Sequence, residues 1–329
     1  MRVLTATKAL AVFDALEDME DVERKEALFT GQIYDALSEV QLVVVDFEDV
    51  VEHPYDVEMI RRVFAEQEVL FASSTEFLAQ PEHWVEEALQ IKGELTKLPK
   101  KRVIGFASYS GGTGKTTLAL DTAIHFMRRT SMPVLVTEFT YGVSSLAALT
   151  GLEMPHFFDL ATMLDVEAER WKGVTLAPMD YEYCQDLPIP QVAGYLRQEM
   201  SKHVLTVVDT AWPHALVGAV RDEIDEWFVV ATPRVDAVEN ARKLREELNP
   251  GKASIIINQK GSLIDSLALS DVERALDLPE IRQPDRFEGK LGKEILSQTF
   301  GSKTWRQYEK GFIDNLRDRL APSRSVSRS

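Results

Sequence analysis

Short apolar runs rich in β-branched residues recur along this 329-residue chain, separated by stretches in which apolar positions return every three or four residues. In the first hundred residues the runs are 2–7 (RVLTAT), 41–47 (QLVVVDF) and 68–73 (EVLFAS), and helical spacing covers Ala15 to Ala27 and Val57 to Phe64. The stretch 92–102, KGELTKLPKKR, is charged and contains proline, which marks a linker. Beyond it the alternation strengthens, with runs at 103–108 (VIGFAS), 133–139 (PVLVTEF), 203–209 (HVLTVVD), 226–232 (EWFVVAT) and 253–258 (ASIIIN). Runs this continuously apolar predict strands covered on both faces, and their alternation with helices predicts parallel pairing. The expected architecture is α/β throughout: a small unit at 1–97, then a larger one at 98–320 whose mostly parallel sheet is covered by helices on both faces. The tail at 321–329 (APSRSVSRS) is expected to be disordered, because it has almost nothing apolar to bury.

Charge separates the two units. The chain carries 37 Lys+Arg against 53 Asp+Glu, a net −16. Residues 1–100 hold 9 of the cations and 22 of the acids, leaving 28 against 31 for residues 101–329. An acidic module therefore precedes a nearly balanced one, and its surface suits selection of a protein partner more than nucleic acid. No apolar run reaches the roughly 18 residues of a membrane span and no signal-like stretch follows Met1, so a cytoplasmic protein is expected. Cys184 is the single cysteine, which excludes a disulfide within the chain and leaves too few thiolates for a Cys-based zinc or iron–sulfur site. Residues 304–320 place Trp305, Tyr308, Phe312, Leu316 and Leu320 at helical intervals, which predicts an amphipathic helix. Glu309, Asp314 and Asp318 among them favour packing on protein over a lipid surface.

The most informative segment follows the strand at 103–108. Tyr109, Ser110, Gly111, Gly112, Thr113, Gly114, Lys115, Thr116 and Thr117 lead into a helical stretch beginning LALDTAIHFM. Glycines let the backbone pass close to phosphate oxygens, and loop N–H groups with a helix N-terminus favour an anion. Lys115 would neutralise β- and γ-phosphate charge, and the Thr116 hydroxyl would hold Mg²⁺. The regular G-x-x-x-x-G-K-[ST] pattern is not fully met, since its first position is Tyr109.

On these residues the second unit resembles the MinD/ParA branch of P-loop ATPases, whose loop reads x-K-G-G-x-G-K-[ST]. The resemblance implies binding of ATP or ADP with Mg²⁺ at residues 111–117, a Mg²⁺ role for Asp209 at the end of HVLTVVD, and an adenine framed by Asn258 and Pro284. Two positions depart from the family. Ser110 stands where its signature lysine reaches a dimer partner's nucleotide, and a serine supplies no charge for that contact. After the second strand the family's acid pair aligns with Glu138 and Thr140, and a threonine cannot act as a carboxylate base. Slow or absent hydrolysis is therefore expected.

An acidic α/β unit ahead of such an ATPase is similar to the arrangement in CpaE/TadZ-type pilus-assembly proteins, where a degenerate receiver (a flavodoxin-like fold) comes first. Asp46 sits where a receiver's phospho-acceptor would sit, and Ser73, Ser74 and Thr75 end the following strand. The first strand ends Ala6-Thr7-Lys8, without the acidic pair that holds Mg²⁺, so phosphorylation is not expected. The resemblance implies a localisation or scaffold protein for a pilus or secretion machine, recruited to a membrane-associated assembly through a partner or the C-terminal helix. An active ParA-like partition ATPase, which would also contact DNA, and a metabolic P-loop enzyme remain the alternatives, and a homodimer stays open.

Overall fold

The computed structural model describes residues 1–17, 19, 22–51, 57–64, 67, 69–91, 100–155, 157–163, 166–178, 189–249, 251–258, 274–276, 291–302 and 304–306. The chain divides into two compact units, Met1–Lys101 with Leu196–Val204, and Arg102–Tyr195 with Leu205–Ser329.

In chain order the first unit contains β1 (Arg2–Ala6), α1 (Leu10–Glu17), β2 (Glu23–Glu26), α2 (Thr30–Ala36), β3 (Leu42–Val45), α3 (Phe47–Val50), α4 (Val57–Phe64), β4 (Leu70–Ala72), α5 (Ser74–Ala79) and α6 (Pro81–Leu89). Its four strands are parallel in the order β2-β1-β3-β4. Val3, Leu42, Val44 and Ala72 pack with Val12, Leu16, Phe77 and Ala88 from α1, α5 and α6. The alternate residues Leu4, Val43 and Val45 are buried as well, so both faces of the sheet are covered.

The helix expected over Ala15 to Ala27 is corrected. Helix α1 begins at Leu10 and ends at Glu17, and residues 23–26 (ERKE) form the edge strand β2. That strand is held by parallel pairing to β1, with Arg2 Nε bonded to Glu23 Oε2 at 2.8 Å and Lys25 paired with Glu39. A short, charged edge carries no apolar alternation to read, and its charge guards against pairing with another chain.

The second unit runs β5 (Arg102–Ser108), α7 (Lys115–Thr130), β6 (Val134–Phe139), α8 (Ser145–Thr150), α9 (Phe157–Thr162), β7 (Glu169–Trp171), β8 (Val174–Pro178), α10 (Ile189–Lys202), β9 (Leu205–Ala211), β10 (Glu226–Ala231), α11 (Val235–Leu248), β11 (Ala253–Asn258), β12 (Arg274–Leu276) and α12 (Gly292–Phe300). The end of α10, from Leu196, groups with the first unit. The sheet order is β12-β11-β10-β5-β9-β6-β8-β7, parallel except for the β7–β8 hairpin. All five apolar runs appear as strands. The hairpin turns at Lys172 and Gly173, both at positive φ, which suits a tight two-residue connection between right-twisted strands. Because β5 is flanked by β9 and β10, the chain leaves β5, crosses over β9 through α7 and returns in β6. Loops after β5, β6 and β9 therefore meet at the carboxyl edge of the sheet, where open α/β sheets hold ligands.

Helix α7 is fixed from behind by α12. Asp121, buried in α7, accepts the Leu291 N–H at 2.5 Å and the Gly292 N–H at 3.1 Å, satisfying the first donors of α12. A Cβ at Gly292 would lie 2.4 Å from Thr122 Cα, so only glycine fits this approach. Asp121→Ala leaves the buried Gly292 N–H and the half-buried Leu291 N–H without their acceptor and is expected to destabilise the protein by about 2–3 kcal/mol. Urea unfolding followed by circular dichroism checks this; an unchanged midpoint would show that the clamp contributes nothing.

Candidate functional site

The loop between β5 and α7 turns on its glycines. Gly112 (φ +70°) and Gly114 (φ +95°) occupy the left-handed region that side chains resist, and Gly114 caps α7. The turn aims the start of α7 into a cleft of about 490 Å³, within the size range of small-ligand sites. Its walls are the loop from Tyr109 to Thr117, Glu138, Phe139 and Thr140 from the end of β6, Ser145, Ala148 and Leu149 from α8, and Asp209 and Ala211 from β9. All seven loop residues named from the sequence, Gly111 to Thr117, line it.

Inside the loop, Lys115 Nζ donates to Ser108 Oγ at 2.9 Å, Thr113 Oγ1 donates to the same oxygen at 3.2 Å, and Ser108 Oγ donates to the Ser110 carbonyl at 2.6 Å. Ser108, which sequence reasoning missed, thus parks the lysine amine at the cleft floor. Its only signal was its place as the last strand residue before the glycines. Asn258, at the end of β11, donates through Nδ2 to the Thr113 carbonyl at 3.1 Å, so that side chain braces the loop.

Two carboxylates sit side by side at the floor. Glu138 and Asp209 face each other across the β6–β9 pairing. Asp209 accepts the Thr116 hydroxyl through Oδ2, while its buried Oδ1 has no hydrogen-bond partner among the described residues. Burial raises its carboxyl above the ordinary range, against the pull of Lys115 and the Thr116 bond. Glu138 is raised to about 7, first by burial and then by the neighbouring Asp209 charge. Its oxygens are taken up by α8: Ser144 Oγ donates at 2.5 Å, Ser145 N at 2.9 Å and Leu146 N at 3.3 Å. Glu138 is therefore a helix-capping acid. Thr140, two residues on, brings only a hydroxyl to the cleft.

This donor set fits Mg²⁺. The ion takes oxygen ligands and keeps most of its sphere for water and phosphate. A threonine hydroxyl beside a buried carboxylate with one idle oxygen supplies what such an ion needs from protein. Among the described residues no group of three or more His, Cys, Asp or Glu could hold a metal by itself, so phosphate would have to complete the sphere.

The rim involves residues with no motif to reveal them. Tyr109 OH donates to Glu247 Oε1 at 2.6 Å and Trp212 Nε1 to Glu247 Oε2 at 2.9 Å. Burial and the Glu247 carboxylate push the Tyr109 phenol up to about 12, so it stays a donor. These partners lie 138 and 35 residues from Glu247, and only the fold brings them together. In the first unit, Asp46 accepts the Ser74 N–H at 3.0 Å and the Thr7 hydroxyl, engaging both its oxygens. Ser73 and Glu76 form a reciprocal cap on α5, and Thr75 is exposed. Pro284, Cys184, the tail at 321–329 and all of the predicted 304–320 helix beyond residue 306 lie outside the described residues. Among the described residues no helix is long and apolar enough to cross a membrane.

No protein-family model matches the chain, and no curated protein does. Among solved structures, the ParA family ATPase from Chlorobium tepidum is similar at TM-score 0.50 and 19% identity, over 64% of this chain and 97% of that one. The septum site-determining protein MinD with Mg-ADP from Pyrococcus horikoshii gives 0.48 and 18% over 66% and 97%. The MinC:MinD cell division complex from Aquifex aeolicus gives 0.44 and 19% over 69% and 98%. At such identities the likeness is one of fold, carried by the first of these. The chain is thus an α/β protein in which a small four-stranded parallel sheet accompanies a larger, mostly parallel sheet whose fold is similar to that of the Chlorobium ParA family ATPase.

Proposed function

We propose that the second unit binds ATP or ADP with Mg²⁺ at the loop Gly111–Thr117, turns it over slowly or not at all, and serves as the nucleotide-dependent part of a localisation or scaffold protein. The observation that carries the reading is the cleft itself: a glycine loop with one lysine amine, and beside it the Thr116–Asp209 pair with an idle buried oxygen. Loop N–H groups and Lys115 would hold the phosphates. Thr116 and Asp209 would hold the ion, which when bound neutralises phosphate charge. Asn258 and Pro284 would border the base.

Slow turnover follows from the acids. Water attack on a γ-phosphate needs a group that orients the water. Thr140 has no carboxylate, and the Glu138 carboxylate is committed to the first turn of α8. The acidic first unit would select a protein partner, as in CpaE/TadZ-type proteins, with its receiver-like Asp46 used for internal bonds instead of phosphorylation. The expected output is placement of a machine such as a pilus or secretion apparatus from the cytoplasm.

Two measurements test this on the purified chain. A fluorescent ATP analogue with Mg²⁺ should bind, and phosphate release should be on the order of 10⁻² per second or slower, against about 1–100 per second for kinases. Brisk hydrolysis would reject the scaffold reading in favour of an active partition ATPase.

A further inference from the structure

We propose that the groove between α1 and the α5–α6 corner of the first unit docks a basic amphipathic helix presented by a protein partner. The inference deepens the partner-selecting role given to the first unit above and rests on that part of the reading alone.

The groove has a volume of about 450 Å³. Half-buried Ala15, Met19 and Pro81 and exposed Ala79 give it apolar walls, and exposed Glu82 and His83 line its polar side. Methionine suits such a wall, because its unbranched side chain adapts to the apolar group that enters. The flanking helices also carry apolar groups into solvent. On α1, Leu10 (76% exposed), Asp14 and Glu17 recur at helical spacing along one exposed stripe, and on α6 Glu82, Glu86 and Leu89 (61% exposed) do the same. Each stripe therefore presents one leucine and two acids.

Charge decides what can lie there. Helices α1, α5 and α6 carry two, one and three acids and no lysine or arginine. Glu76 is engaged in the α5 cap and Glu87 has His83 Nε2 at 3.7 Å, but Asp14, Glu17, Glu82 and Glu86 have no cationic partner among the described residues. The unit's cations are engaged elsewhere: Arg2 pairs with Glu23, Lys25 with Glu39, Lys8 with Asp49, Arg61 with Glu48 and Lys101 with Asp35. Acids without counter-charge around an apolar groove attract a segment that brings lysine or arginine together with apolar side chains. A second copy of this chain would bring like charge, since residues 1–100 hold 22 acids against 9 cations. The occupant is helical because the walls are helices, whose backbone groups bond within each helix. An extended segment would find no N–H or C=O to pair with in an apolar groove, whereas a helix satisfies its own.

The test uses the full chain and a synthetic peptide of about 18 residues, with leucine at i, i+3, i+4 and i+7 and lysine elsewhere. Two controls keep one feature each: glutamate in place of lysine, or serine in place of leucine. Only the leucine–lysine peptide should bind saturably, and it should slow hydrogen exchange in segments 10–17 and 76–89. Reversing two charges removes two attractions and creates two repulsions, so Glu82→Lys/Glu86→Lys should weaken this peptide by about tenfold or more. The exposed pair Glu153→Lys/Glu167→Lys, which changes net charge equally on the second unit, should change it by less than about twofold. Both variants should keep the wild-type urea midpoint. Equal losses in the two variants, protection confined to other segments, or equally tight binding of either control peptide would overturn the proposal. So would markedly tighter binding by a chain shortened to Leu320, which would assign the groove to the protein's own tail, or a dimer that the peptide dissociates, which would assign it to a second copy. Nucleotide titrations on Glu82→Lys/Glu86→Lys should match wild type, so failure of the groove and failure of the nucleotide reading are told apart.

Discussion

Lys115→Ala is expected to weaken binding of both ATP and ADP by about a hundredfold or more, since a lysine between two phosphates makes charge-assisted bonds of roughly 1.5–3 kcal/mol each. The geometry supports an effect of that size. Lys115 is the first residue of α7, its amine rests on Ser108 Oγ at 2.9 Å, and every other group among the described residues that line the cleft is neutral or acidic. Phosphate arriving beside Glu138 and Asp209 without that cation meets like charge at low dielectric. The same substitution removes the favourable charge beside the buried Asp209, so part of its effect could come through stability. Urea unfolding run alongside the titrations separates the two: the variant should remain cooperatively folded while its affinity collapses. Undiminished binding of a fluorescent nucleotide by folded Lys115→Ala would sink the assignment of the loop.

What could be read from the chain divides along physical lines. Strands buried on both faces print continuous apolar runs, so all five runs of the second unit appear as β5, β6, β9, β10 and β11. Strand β2 is held by backbone pairing and printed only ERKE, and β7 (ERW) has no buried residue and meets β8 through a Lys-Gly turn in place of the commoner Asn-Gly. In the site the same distinction holds. The loop Gly111–Thr117 is contiguous, so its chemistry shows in one line of sequence, and Asp209 announces itself by ending an apolar run. The pairing of Thr116 with Asp209 spans 93 residues and needed only those two signals. Ser108, Tyr109, Glu247 and Trp212 were illegible because ordinary residue types acquire their roles through contacts that depend on the sheet order. Glu138 lies between these cases. The sequence placed it at an acid position, and only the folded β6–α8 turn reveals that both oxygens are used for capping.

Asp209→Asn is expected to cut the tightening of nucleotide binding by Mg²⁺ and, in the same protein, to flatten the fall of stability with pH. The first effect follows from charge: with an amide opposite Thr116, the ion loses the carboxylate whose Oδ1 is otherwise idle, and the gain in affinity on adding Mg²⁺ should shrink by about tenfold or more. The second follows from Glu138. Its folded-state pKa of about 7 lies above its ordinary value of 4.5, so between those two pH values the folded protein holds a proton that the unfolded chain has released. Stability of the metal-free protein therefore declines as pH rises through this window and levels off above it, a loss of about 3 kcal/mol if the whole shift is expressed. Burial supplies the larger part of that shift and the Asp209 charge the rest. Asparagine removes the second part together with the decline that the raised Asp209 carboxyl contributes itself, so the fall should become shallower without vanishing, and Mg²⁺ with nucleotide should act in the same direction in the wild-type protein by neutralising Asp209. Denaturant midpoints from pH 5 to 8 in chelator, for wild type and variant, provide the measurement. Parallel pH curves for the two proteins would mean that Asp209 neither titrates with folding nor acts on Glu138. An undiminished Mg²⁺ effect on nucleotide affinity would remove Asp209 from the ion site.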